Sequence, residues 1–159
     1  MDTAKFIIRP AGIEDMEALT ALYLAYGEDL KRSGLHYDIR TENVPKVLES
    51  RIKSRLIYFA AAESAGEIVG FVIASILRLG GEYLCEGEAS VGYLNDIYVA
   101  PAARRQGLAE ALTASAEAWL RENGVRAMEL QVVTGNTAGE AFWRRQGAYP
   151  VGTLCYKKL

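Results

Sequence analysis

Histidine occurs once in the 159 residues, at His36, and cysteine twice, at Cys85 and Cys155. So few ligands, without metal-ligand spacing, argue against a zinc site, and no metal is expected. Each cysteine is expected to be a small buried or half-buried thiol rather than half of a disulfide. No apolar run approaches the ~20 residues needed to span a bilayer. The opening Met1-Asp-Thr-Ala-Lys5 lacks the apolar segment of a secretory signal. A cytoplasmic chain with no membrane partner is the expectation. An excess of either charge is missing too: 18 Lys and Arg against 20 Asp and Glu leave a net charge of -2. That gives no electrostatic case for nucleic-acid binding, so any bound anion must be met by local donors.

The remaining composition is that of one globular domain, half hydrophobic and a quarter charged, and residues 1–159 are read as a single unit. Phe6 to Arg9 reads as a short strand closed by Pro10 and Gly12. Apolar residues from Ile13 to Leu30 follow helical spacing, and Ser33-Gly34 ends that helix. A loop with His36, Tyr37 and Asp38 follows, then a second helix begun at Asn43 and Pro45 with Val44, Val47, Leu48 and Ile52 on one face. Ile57–Ala62 and Glu67–Leu77 make a hairpin around Glu63-Ser-Ala-Gly66. An acidic connector, Gly80 to Glu88, leads to a strand at Ala89–Val99. A long helix at Leu108–Asn123 packs through Leu108, Ala111, Leu112, Ser115, Ala116, Trp119 and Leu120, and Gly124 stops it. Strand Ala127–Val133, helix Thr137–Gln146 and strand Gly152–Lys158 complete a mixed-sheet α/β (α+β) domain.

Chemistry concentrates where a strand runs into a turn and a helix, at Arg104-Arg-Gln-Gly-Leu-Ala109. A helix N-terminus presents unpaired backbone N–H groups, and two guanidinium groups stand beside it. Such a site suits a pyrophosphate. Gly107 lets the backbone approach a phosphate with no Cβ in the way, and Ala109 keeps the first helical turn thin.

The turn fits Arg/Gln-x-x-Gly-x-Gly/Ala. With Asn136, Tyr93-Leu-Asn-Asp-Ile-Tyr-Val99 and Phe142-Trp-Arg-Arg-Gln-Gly-Ala148, the chain resembles the GNAT superfamily of acyl-CoA-dependent N-acetyltransferases over nearly its full length. Within it the strand and helix motifs look closest to polyamine acetyltransferases of the spermidine/spermine type. The resemblance implies a mixed, mostly antiparallel sheet of about six to seven strands flanked by about four helices and splayed at the acyl-CoA site. It implies acetyl-CoA as acyl donor and an amine acceptor as the partners, and a homodimer through terminal strands. The backbone of Ile97, Tyr98 and Val99 would pair with the pantetheine arm. Amides of Arg104, Arg105, Gln106, Gly107, Leu108 and Ala109 would hold the pyrophosphate, with Arg105 a salt-bridging neighbour. Asn136 would bond the pantetheine region from the far side.

Acetyl transfer to an amine needs a proton acceptor, because an amine with a pKa of ~10.4 is almost wholly protonated at neutral pH. The family's positions are altered here. Trp143 stands where many relatives have an acidic tyrosine, seven residues after the asparagine, and indole N–H is no acid. Trp143 is read as a packing residue beside the thioester. Gln131 replaces a glutamate found in ribosomal-protein-type members, and Asn95-Asp96 replaces a Glu-Asp pair. Asp96 remains as base or end of a water relay, and its alternative is a structural carboxylate paired with an arginine.

For the acceptor, the resemblance points to the first two helices and the connectors. These carry Glu28, Asp29, Asp38, Glu42, Glu82, Glu86 and Glu88 among Tyr23, Tyr26, Tyr37 and Tyr83, a mixture suited to a cationic amine. Solvated helix ends are the plain alternative. His36, Arg144-Arg145 and Lys157-Lys158 are read as surface residues. The expected activity is acetyl transfer from acetyl-CoA to a small cationic amine. Peptide or protein amino groups, or a non-catalytic acyl-CoA-binding module, stand as alternatives.

Overall fold

The computed structural model describes residues 6–159, so the reading of Met1 to Lys5 lies outside it. Strand β1 (Ile7–Pro10) is followed by α1 (Met16–Arg32), α2 (Val44–Lys53), β2 (Ile57–Ser64), β3 (Glu67–Arg78) and β4 (Ser90–Val99). Then come α3 (Leu108–Glu122), β5 (Met128–Leu130) and α4 (Thr137–Arg145). The strands lie in sequence order in one open sheet, antiparallel throughout except that β4 and β5 run parallel. A parallel pair needs a crossover, and α3 supplies it.

Both faces of the sheet are covered, and alternation along the middle of β2 and β3 assigns their side chains. Ala60, Ala62, Val72 and Ala74 face α3 with Leu108, Leu112 and Ala116. Phe59, Ala61, Phe71 and Ile73 face α1 and α2 with Leu19, Val44 and Leu48. On α3, Ala111 is exposed and Thr113 takes a buried place instead, its hydroxyl donating to the Ala109 carbonyl at 2.9 Å. Gly124, at φ 76°, closes α3: Val125 N–H reaches back to the Leu120 carbonyl at 3.0 Å.

β4 breaks the alternation. Ala74 pairs with Leu94 and Ile73 with Asp96, so Asn95 is an extra residue in a bulge. Without it Leu94 and Asp96 would share a face. With it Leu94, Ile97 and Val99 face α3, while Asp96 and Tyr98 turn toward α1 and α2. The Ser75 hydroxyl donates to Asn95 Oδ1 at 2.8 Å and pins the bulge.

Four expectations are corrected. Among the described residues the sheet has five strands, not six to seven. Gly152–Lys158 forms no strand, and its residues are exposed. β5 is shorter than expected and pairs with β4 only from Gly92 to Leu94. Beyond Leu130 the chain leaves the sheet for a turn closed by Asn136 N–H on the Val133 carbonyl. The β4 edge from Asn95 to Val99 therefore lies open on that side. Cys85 is half-buried, as expected, but Cys155 is exposed because its segment packs into no sheet.

Candidate functional site

The open edge of β4 ends at the N-terminus of α3. Ala100 N–H is bonded to the Val69 carbonyl at 2.8 Å, and the Tyr98 carbonyl is turned toward Gly70 of β3. By alternation, Ile97 and Val99 present their N–H and C=O groups to the open side. Tyr98 contributes its ring to the α1 side instead.

After Val99, a turn at Pro101–Ala103 leads to Arg105 at φ 60° and Gly107 at φ 80°. Two left-handed residues so close together curl the backbone into a concavity of N–H groups. A Cβ at Gly107 would meet nothing in the chain itself, so it is the left-handed backbone conformation and not crowding that favours glycine here. The first bond within α3 runs from Ala111 N–H to the Gly107 carbonyl, which leaves the N–H groups just before it without an intrahelical partner, whereas Arg104 N–H is already bonded to the Pro101 carbonyl at 3.3 Å. A cleft of about 340 Å³ lies here, lined by Val99, Arg104, Arg105, Gly107, Phe142 and Arg145 among others.

Leu108 and Ala109 also line that cleft. Gln106 turns back, donating through Nε2 to the Ala102 carbonyl at 3.2 Å. Asn136 caps α4 by accepting from Gly139 N–H at 2.9 Å, leaving its Nδ2 as a donor. Trp143 is buried in the α3-side core, edge-on to Phe142 at 4.9 Å between ring centroids. Arg145 is exposed, as expected of a surface residue, and it also lines the cleft. The signal that could have found it is its place one turn past Phe142, at the end of the helix that faces the phosphate turn.

The other side of β4 carries a half-buried polar cluster. Arg51 of α2 donates through Nη1 to Asp96 Oδ2 at 2.7 Å, and Tyr23 Oη lies 3.5 Å from the same oxygen. Burial pushes the Asp96 carboxyl up from its ordinary value, against the opposing pull of Arg51, Tyr26 and Tyr23. Burial likewise raises the Tyr23 and Tyr26 phenols, helped by the Asp96 charge. Arg51 drew no attention in the sequence, although it lies on the same helical face as Val44 and Leu48. A charged residue at core-facing spacing was the available signal.

Several acceptor-side carboxylates are already neutralised. Asp29 is paired with Arg32 and Arg104, Asp38 with Lys31 at 2.5 Å, and Glu88 with Arg126 at 3.1 Å. Glu28, Glu42, Glu82 and Glu86 are exposed. A recess of about 470 Å³ near Arg9, Asp15 and Glu63 is larger than the α3 cleft, but Arg9 is spent on those two carboxylates. Among the described residues no group of His, Cys, Asp and Glu is placed to hold a metal ion, and no helix is long and apolar enough to cross a membrane.

The acetyltransferase (GNAT) family model matches residues 17–148. The chain is 24% identical over 140 residues to the uncharacterized N-acetyltransferase YhfO of Bacillus subtilis, covering 88% of this chain and 87% of the relative. It is 26% identical over 153 residues to aminoglycoside N(6')-acetyltransferase type 1 of Klebsiella aerogenes, covering 96% and 95%. An acetyltransferase of Clostridium acetobutylicum, crystallised with acetyl-CoA, shares the fold at a TM-score of 0.77 and 15% identity, covering 96% of each chain.

Proposed function

Because the chain belongs to the acetyltransferase (GNAT) family and is an acetyl-CoA-dependent N-acetyltransferase, we propose that it acetylates a primary amine of a small cationic molecule by direct attack. One observation carries the cofactor half of this reading. The β4 edge loses its β5 partner after Leu94 and runs directly into the left-handed turn at the start of α3. Residues there fit the donor. The N–H groups from Arg105 to Ala109, with the guanidinium groups of Arg105 and Arg145 beside them, would hold the pyrophosphate. Ile97 and Val99 would pair with the pantetheine arm, and Asn136 Nδ2 would bond it from the other side. When bound, acetyl-CoA supplies a thioester carbonyl.

The chain's own part is positioning and proton handling. Holding amine and carbonyl in attack geometry supplies about 7–11 kcal/mol of the barrier. Val99 N–H on the open edge polarises the carbonyl oxygen. The amine nitrogen bonds to the carbonyl carbon, the C–S bond breaks, and the sulfur leaves as thiolate. The amine's proton passes to Asp96, directly or through water, where burial has raised the carboxyl's proton affinity. Trp143 packs behind the thioester.

The acceptor class is supported by the tyrosine-and-carboxylate wall of Tyr23, Tyr26 and Asp96. It is also supported by the aminoglycoside acetyltransferase among the relatives, whose substrates are small amine-bearing molecules. Polyamines belong to the same class. A second reading has its own observation: the 2.7 Å Arg51–Asp96 pair suits a structural carboxylate that locks β4 to α2. Two further parts of the proposal are a homodimer through the C-terminal segment, where Tyr149, Val151, Leu154 and Tyr156 are exposed, and a cytoplasmic setting, with which two free thiols accord.

The test is to incubate the protein with acetyl-CoA and a panel of polyamines, aminoglycosides and lysine-bearing peptides, and to follow free thiol. Thiol release with the small polycations and not the peptides is expected. Release only with peptides overturns the acceptor class, and CoA binding without any amine-dependent release overturns catalysis.

A further inference from the structure

Arg104 begins the phosphate turn, yet its guanidinium is held by partners outside that turn. Nε donates to the Val99 carbonyl at 2.9 Å, Nη2 donates to Asp29 Oδ2 at 3.0 Å, and the guanidinium carbon lies 5.4 Å from the centroid of the Tyr98 ring. Asp29 belongs to the last two turns of α1, 75 residues earlier, and is braced from its own helix by Arg32. Three separate pieces thus meet at one side chain: the acceptor-side helix, the open end of β4 and the start of the turn. Arg105 and Arg145 are the cations left for an anion in the cleft.

We infer that Asp29 is a positioning residue for the cofactor, acting through Arg104 to couple the phosphate turn to the seating of α1 on the sheet. The inference rests on the reading of the α3 cleft as the acyl-CoA site. Without Asp29, the guanidinium keeps the Val99 carbonyl and the Tyr98 ring but has no carboxylate to fix its direction. The turn, whose Arg105 already sits in a left-handed conformation, is then free to relax. A carbonyl oxygen has two lone pairs, so Arg104 leaves one on Val99 for an incoming N–H donor. Coupling runs both ways: whatever stabilises the turn also stabilises the C-terminal half of α1.

CoA titration by calorimetry on the full chain tests this, with Asp29→Asn, Arg104→Gln, Arg104→Lys and the double variant Asp29→Asn/Arg104→Gln. Wild type is expected to bind CoA. Asp29→Asn and Arg104→Gln should each weaken binding about three- to tenfold, and the double variant no further than the worse single one. Arg104→Lys, which keeps the charge but not the two-pronged geometry, should not restore affinity. Hydrogen exchange in residues 24–33 should slow on CoA addition in wild type and not in Asp29→Asn, a change that a merely stabilising salt bridge does not produce. Unchanged CoA affinity in Asp29→Asn overturns the inference, as does a tighter affinity caused by the released guanidinium reaching the pyrophosphate. Additive losses or full rescue by Arg104→Lys also overturn it. Failure of wild type to bind CoA removes the cofactor-site reading and this inference with it.

Discussion

Asp96 is pulled in two directions. Burial raises its proton affinity, and Arg51 at 2.7 Å lowers it, with Tyr23 and Tyr26 adding to the second effect. If Asp96 accepts the amine's proton, Asp96→Asn should remove the acidic limb of the kcat/KM pH profile and lower the plateau by about 10²–10⁴-fold. An unchanged profile assigns the residue to structure instead. Arg51→Met separates the two influences. Losing the guanidinium should move that limb to higher pH, and it should cost about 2 kcal/mol in denaturant unfolding, below the 3–5 kcal/mol of fully buried pairs, since Arg51 keeps 25% of its side chain exposed. Asp96 was legible in the sequence as the remaining carboxylate of the central strand. Its partner was not, because Arg51 lies 45 positions away on another element and only packing brings the two together. Gly107 was legible for a local reason: a left-handed residue before a helix favours glycine. Gly107→Ala should cost about 1 kcal/mol in stability and weaken CoA binding about tenfold or more, as a Cβ enters the phosphate space.

Among the elements, β4 carries most of the proposed site, and it does so through a defect. One extra residue, Asn95, turns Asp96 from the α3 core toward the α1–α2 side, and Ser75 holds that residue in place. Ser75→Ala removes the pin and should cost about 0.5–1.5 kcal/mol, read as an earlier urea midpoint with unchanged slope. Its larger effect is expected on kcat, because a mobile bulge no longer fixes Asp96. Helical periodicity and turn residues located all four helices and the first four strands within a few residues. Two elements escaped that logic. β5 is cut to Met128–Leu130 because the chain turns away toward the α4 cap, and Gly152–Lys158 has a strand-like composition without a strand to pair with. A strand needs a neighbour for its hydrogen bonds, and no local pattern names that neighbour.

For the molecule as a whole, acid should act through a few carboxylates. Asp15 is held below its ordinary value chiefly by the hydrogen bonds from Arg9 at 2.7 and 2.8 Å. At Asp29 the opposing effect of burial is outweighed by Arg104 and Arg32. Groups with a lowered folded-state pKa bind fewer protons folded than unfolded. Their stabilisation is full above the ordinary carboxyl range and is lost as pH falls through the lowered values. Asp96 has the opposite sign, since protonation relieves its burial, and it offsets part of that loss. The melting temperature should therefore decline below about pH 4, and Asp15→Asn should flatten the decline while lowering the pH 7 plateau. The exposed apolar residues of the C-terminal segment give a second whole-molecule test. Sedimentation of the full chain should show a dimer, and truncation after Ala148 should give a monomer; a monomeric full chain removes the dimer from the proposal.

By itself the sequence determined helices α1 to α4, strands β1 to β4 and the glycine-bearing turn before α3. All three depend on local geometry: side-chain period, capping residues and a backbone conformation that glycine favours. The tertiary structure alone decided which charges are already spent. Asp29 was read among the acceptor-side carboxylates and Arg104 through its backbone amide, and only the fold shows that their side chains are bonded to each other, as Asp96 is to Arg51. Electrostatic pairing depends on distance in space, and residues 45 or 75 positions apart in the chain share no local pattern that records it.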